Sequence, residues 1–231
     1  LLEYDEVRDV QRNYFYKLRQ KILEGRNLRE MIFDIISDSV ADAVEQYLSP
    51  DYTPSVIGEW VRVNFNTPME PGDLRDISLE ILETHIKDHA RDEARSNITN
   101  SLNEFMDPDA EQEDWDYDGL TNWVKTQFGV VVTVHQLKKM DRDQIREALI
   151  DAAIEQVNHK DCTQLQQYLV KNYAQQQLAD WANTKFQLAI TTEQLLGLKL
   201  EEAVDFILDQ AHKQYHRREV EYPVEYALEE C

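Results

Sequence analysis

Cysteine is almost missing from these 231 residues: Cys162 and Cys231 stand far apart, in no metal-binding or redox spacing. A disulfide framework is thereby excluded, and both read as free thiols. Glycine and proline are scarce, six of each, which leaves few breaks for long periodic segments. No apolar run approaches the ~20 residues needed to cross a bilayer, and no charged-then-apolar leader precedes Leu1, so the chain reads as cytoplasmic. Positive charge is short as well. With 24 Lys plus Arg against 45 Asp plus Glu, the net charge of -21 repels nucleic-acid phosphates and anionic headgroups, and no basic patch of useful size offsets it. There is also no glycine-rich phosphate loop of the GxxxxGK[ST] kind and no acidic partner box for magnesium. The chain by itself is expected neither to bind nor to hydrolyse ATP, with no catalytic, cofactor or metal residue.

What the sequence does contain is helix. A hydrophobic content of 42% builds the core of one or two domains, and apolar residues recur three and four apart as an amphipathic helix requires. The first segment places Tyr4, Val7, Tyr14, Leu18 and Ile22 on one stripe, with Gly25 as a stop. Further helices are predicted at about 28–48, 79–106, 143–158, 163–186 and 200–217. The run Val130-Val131-Val132 is too short and isolated to make a sheet.

The chain also repeats itself. Three times a Trp is followed five residues later by a Phe: Trp60 with Phe65, Trp123 with Phe128, and Trp181 with Phe186. Fourteen residues after each Trp stands a Leu (Leu74, Leu137, Leu195), then an apolar residue (Ile77, Met140, Leu198), and thirty after it an Ala (Ala90, Ala153, Ala211). Each copy reads as a short helix carrying the aromatic pair, a connection holding the Leu, and a long amphipathic helix. The six aromatics are the predicted structural core of the repeat, with the three Trp buried in equivalent settings. One copy alone is too small to bury its apolar face, so the copies should stack.

Two stretches imitate metal sites. In Asp114-Trp115-Asp116-Tyr117-Asp118-Gly119 the acids fall at the first positions of a calcium loop, but the twelfth position is Lys125 where a bidentate Glu is needed. Asp118 reads instead as a residue favoured by a helix N-terminus. The pairs His85/His89 and His212/His216 have zinc-ligand spacing on one helix face, yet no third ligand is evident, and a solvated face is expected.

The string Glu3-Tyr4-Asp5-Glu6-Val7, with Gln11-Arg12, Tyr16, Arg19 and Ile22-Leu23-Glu24-Gly25, resembles the start of the long scaffold helix of SecA, the ATP-driven motor of bacterial preprotein export. Trp115-Asp116, Gly119-Leu120, Phe128 and Asp143-Gln144-Ile145-Arg146 are similar to the helical wing domain that interrupts that scaffold. The resemblance implies an all-α architecture: a long scaffold-type helix followed by three stacked helical wing-like repeats. Its divisions would be 1–39 (start of the scaffold), 40–106, 107–161 and 162–231 (wing-like repeats, the last with a C-terminal extension). It also implies motor domains of the same chain ahead of Leu1, where ATP and magnesium would bind, and preprotein and the SecYEG channel as partners. A location in the cytoplasm, peripheral to the inner membrane, goes with these. The scaffold-helix interface would comprise Tyr4, Val7, Gln11, Tyr14, Leu18 and Ile22, a stripe near heptad spacing that could pair with a second copy of the fragment. The alternative is a free-standing acidic helical-repeat adaptor that binds other proteins.

Overall fold

Each Trp–Phe pair lies on a helix of three or four turns, followed by a single helical turn and then a long helix. In the computed structural model, which describes Arg12, Tyr16 and residues 28–75 and 78–229, the α-helices are α1 (Leu28–Tyr47), α2 (Tyr52–Phe65), α3 (Leu79–Phe105), α4 (Tyr117–Phe128), α5 (Val134–Leu137), α6 (Arg142–His159), α7 (Tyr173–Phe186), α8 (Thr192–Leu195) and α9 (Leu200–Glu229). The predicted interface stripe Tyr4, Val7, Gln11, Tyr14, Leu18 and Ile22 lies outside the described residues, as do Ile77 and Cys231. Among the described residues there is no strand, and the protein is all-α.

Local chemistry sets the boundaries. Each aromatic-pair helix is followed directly by a residue in the left-handed region: Asn66 (φ 54°), Gly129 (φ 69°) and Gln187 (φ 55°). Such a residue ends a helix and turns the chain. The single-turn helices of the second and third copies start with the same reciprocal cap, Thr133 with Gln136 and Thr191 with Gln194, each satisfying two otherwise orphaned backbone donors. In the first copy the equivalent turn is a 3-10 helix, Pro71–Leu74. The Leu of each turn is buried (Leu74, Leu137, Leu195), and so is the Ala of each long helix (Ala90, Ala153, Ala211).

One predicted helix is two. The segment 163–186 breaks into a 3-10 stretch, Thr163–Gln167, and α7, with Asn172 at φ 73° just before α7. An apolar residue every three or four positions runs across the break, and Asn supplies a left-handed turn without a Gly or Pro to announce it.

The described chain divides into two compact units, with crossings at Ser49/Pro50 and Tyr173/Ala174. The central unit, 50–173, holds the first and second repeats. The flanking unit holds α1 and the third repeat.

In the central unit, α3 and α6 run antiparallel. Lys87 Nζ donates to the Asn158 carbonyl at 3.1 Å, and Arg91 donates twice to Asn158 Oδ1 at 2.9 and 2.7 Å. At the other end Arg142 Nε donates to the Met106 carbonyl at 3.1 Å. The arrangement gives each repeat what it lacks. The first repeat's core (Ile57, Val61, Phe65, Leu74, Leu82, Ile86) is completed by Val157 from the end of α6 and by Cys162 and Leu165 beyond it. The second repeat's core (Leu120, Val124, Leu137, Ile145, Leu149, Ala153) is completed by Ala94, Ile98 and Leu102 from the far half of α3 and by Met106 just past its end. In the flanking unit the third repeat's core (Leu178, Ala182, Ile190, Leu195, Ala203, Ile207) is completed by Val40, Ala43 and Val44 of α1. Three helical pieces leave one apolar stripe bare, and in every case a borrowed segment closes it.

Burial pushes the Cys162 thiol above its ordinary value, with Glu83 adding to the shift. A raised thiol pKa means that the stability it contributes is present below the ordinary thiol value and is lost as pH rises from there through the raised native value. Alkylation by iodoacetamide, mapped on the Cys162 peptide, is therefore expected to be much slower in the native chain than in the unfolded one at pH 8. Equal rates would show that the first core opens freely.

Candidate functional site

The ends of two aromatic pairs meet in a cleft. Its volume is about 220 Å³, and it lies within the central unit where the first and second repeats join. Phe65 and Asn66 come from the end of α2, Trp123, Gln127 and Phe128 from α4, and Glu93, Asn97 and Ser101 from one face of α3. Asn66 Nδ2 donates to Gln127 Oε1 at 2.6 Å, tying the ends of two equivalent helices together. Asn97 Nδ2 donates to Glu93 Oε1 at 3.2 Å. Among the lining residues Glu93 is the one ionisable group. Aromatic walls with primary amides suit the holding of a side chain or a short extended segment, not proton transfer between paired groups.

The six aromatics occupy equivalent positions. Ring centroids of each pair are 6.0 Å apart for Trp60/Phe65, 5.6 Å for Trp123/Phe128 and 5.5 Å for Trp181/Phe186, in tilted to edge-on geometry. The three Trp are half-buried, where the sequence predicts burial. The reason is their place at the seam between a repeat and its closing segment. Trp60 donates Nε1–H to Gln164 at 3.3 Å, Trp123 packs on Phe105 of α3 at 5.7 Å, and Trp181 lies 6.4 Å from Tyr47 of α1. An indole spanning a seam keeps one edge in water.

The metal-like stretches resolve locally. Asp118 stands in the first turn of α4, as expected, and Asp116 caps the helix, its carboxylate accepting from the Gly119 N–H at 2.8 Å. A Cβ at residue 119 would lie 2.1 Å from that carboxylate, so the glycine is fixed by the cap. His85 and His89 are exposed. His212 departs from the expected solvated face: its ring lies 4.3 Å from Phe33 of α1, with His216 at 5.9 Å from the same ring. Arg29 donates to the His216 ring at 2.7 Å and covers Phe33 at 5.5 Å. These contacts extend the α1–α9 seam outward from the core. A long helix carrying His at this spacing is read as solvated unless its partner helix is known, so the sequence does not show the contact.

The His212 Nε2 is buried without a hydrogen-bond partner. An unsatisfied polar atom against an aromatic ring costs about 1–3 kcal/mol, so His212→Leu is expected to stabilise the flanking unit by about 1 kcal/mol in urea denaturation. Destabilisation would mean that the imidazole does more there than pack.

Comparison with known proteins decides the relationship. Residues 1–70 match the family model described as SecA Wing and Scaffold domain. Protein translocase subunit SecA 1 of Rhodopirellula baltica is 28% identical over 225 residues, 97% of this chain. The chain is similar to SecA over most of its length. Protein translocase subunit SecA of Lachnoclostridium phytofermentans is 39% identical over 85 residues, 34% of the chain, and that of Endomicrobium trichonymphae 30% over 116 residues, 48% of the chain. The chain spans 18% of the length of the Rhodopirellula SecA 1 and 10% and 12% of the other two. No solved structure matches it. Because the Rhodopirellula match leaves out so few residues, all three aromatic pairs fall within a region similar to a SecA chain, while the wing and scaffold model itself covers the first pair alone.

Proposed function

We propose that this chain is the non-catalytic wing and scaffold region of a SecA-like, ATP-driven protein translocase motor, in which the repeats help form the clamp around an unfolded preprotein. The scaffold segment ahead of α1 couples that clamp to the ATPase domains. The observation that carries the reading is the similarity to a translocase SecA over 97% of the chain. ATP and magnesium belong to the motor domains, and preprotein and the SecYEG channel are the partners. Among the described residues no helix is long and apolar enough to cross a membrane, in keeping with a peripheral location at the inner membrane.

A photo-crosslinking residue at Gln127, beside the cleft, or at Trp181 tests this in the parent motor. With a preprotein stalled in transit, adducts to the preprotein are expected. Their absence at both positions in an actively translocating preparation would overturn the clamp role.

A further inference from the structure

The chain leaves the flanking unit after Ser49 and returns to it at Ala174. Between those points it builds two cores, from residues Ile57 to Leu165, that share no residue with the flanking core. Each repeat needs a borrowed closing segment, and each unit supplies its own. In the central unit the two repeats close one another through α3 and α6, and in the flanking unit α1 closes the third. Each described core is thus closed by a segment of its own unit.

The central unit also brings its own two ends together. The rings of Tyr52 and Tyr173 are stacked, 6.2 Å apart and 17° from parallel, with Tyr168 edge-on to Tyr173 at 5.6 Å. A segment whose ends lie side by side can be inserted into a host fold without prising it apart. Here the host would be the α1–third-repeat pair.

We propose that residues 50–173 are an independently folding insertion in a wing that α1 and the third repeat complete by themselves, so that the aromatic cleft and the scaffold connection reside in separable parts of the chain. Hydrogen exchange of the full chain under mildly denaturing conditions is the first test. Ile98 and Ile207 are both fully buried, one in each unit. Ile98→Ala is expected to lower amide protection by roughly 30-fold or more within 50–173 only, and Ile207→Ala by a similar factor in α1, α7 and α9 only. A loss of protection in both units from either substitution would overturn the proposal.

Excision is the second test, made by joining Ser49 directly to Ala174 and, in a parallel variant, through a short Gly-Ser bridge. At least one product should be helical and unfold in a single cooperative transition, with α1 and α9 protected as in the full chain. If neither folds, the host is incomplete without the insertion and the proposal falls. This outcome is independent of the translocase reading, which crosslinking addresses.

Discussion

Leu149→Ala should cost the central unit about 2–5 kcal/mol, the range for deleting most of a buried aliphatic side chain and leaving a cavity. Leu149 is fully buried in the core that the second repeat shares with the far half of α3, so neither helix can collapse into the void without abandoning the other. Set against a total of about 5–15 kcal/mol for a domain, one such change takes much of the margin. The midpoint of urea denaturation should fall at nearly unchanged slope. Trp123→Ala provides the internal comparison. Its indole is larger but half-buried, so its loss should cost less than the ~3–5 kcal/mol of a fully buried aromatic. If Trp123→Ala proved the more damaging of the two, the seam rather than the core would be holding the repeats together.

Ala153→Leu is expected to destabilise by about 1–3 kcal/mol, for the opposite reason. Ala153 is fully buried on α6, in the core that α6 shares with α3. Ala90 and Ala211 hold the equivalent positions and are buried too. A small residue recurring at one register of three long helices marks where a neighbouring backbone comes close. A leucine there forces the helices apart or bends side chains off their rotamers. Ala90→Leu should resemble it, while Ala211→Leu should weaken only the flanking unit. Indifference at all three, by thermal unfolding, would mean that the alanines record ancestry and not packing.

The sequence was most readable where geometry is local. Apolar spacing located α1, α3, α6 and α9 to within a residue or two at most ends, and the Trp and Phe register marked out three copies of one unit. It misread 163–186 because a left-handed Asn172 carries no periodic signal. For α9 the predicted stop near 217 falls short, since the helix runs on to Glu229. The choice of closing segment was not legible at all. Whether α1, the end of α3 or the end of α6 fills a slot depends on connections between residues far apart in sequence. For the same reason the cleft went unseen, since Asn66, Asn97 and Gln127 are unremarkable polar residues until two helix ends are brought together. His212 was misjudged because the face of α9 it occupies becomes an interface only through Phe33.

The stacked tyrosines at the two ends of the central unit bear on the order in which the chain can assemble. In a fully unfolded chain, α1 must find α7 and α9 across a loop of roughly 125 residues. Once Tyr52 and Tyr173 are held together, the effective loop shrinks to roughly 10 residues, which lowers the entropy of closure by roughly 2 kcal/mol. Assembly from the middle outward is the expected order, with residues 50–173 bringing the end of α1 close to the start of α7.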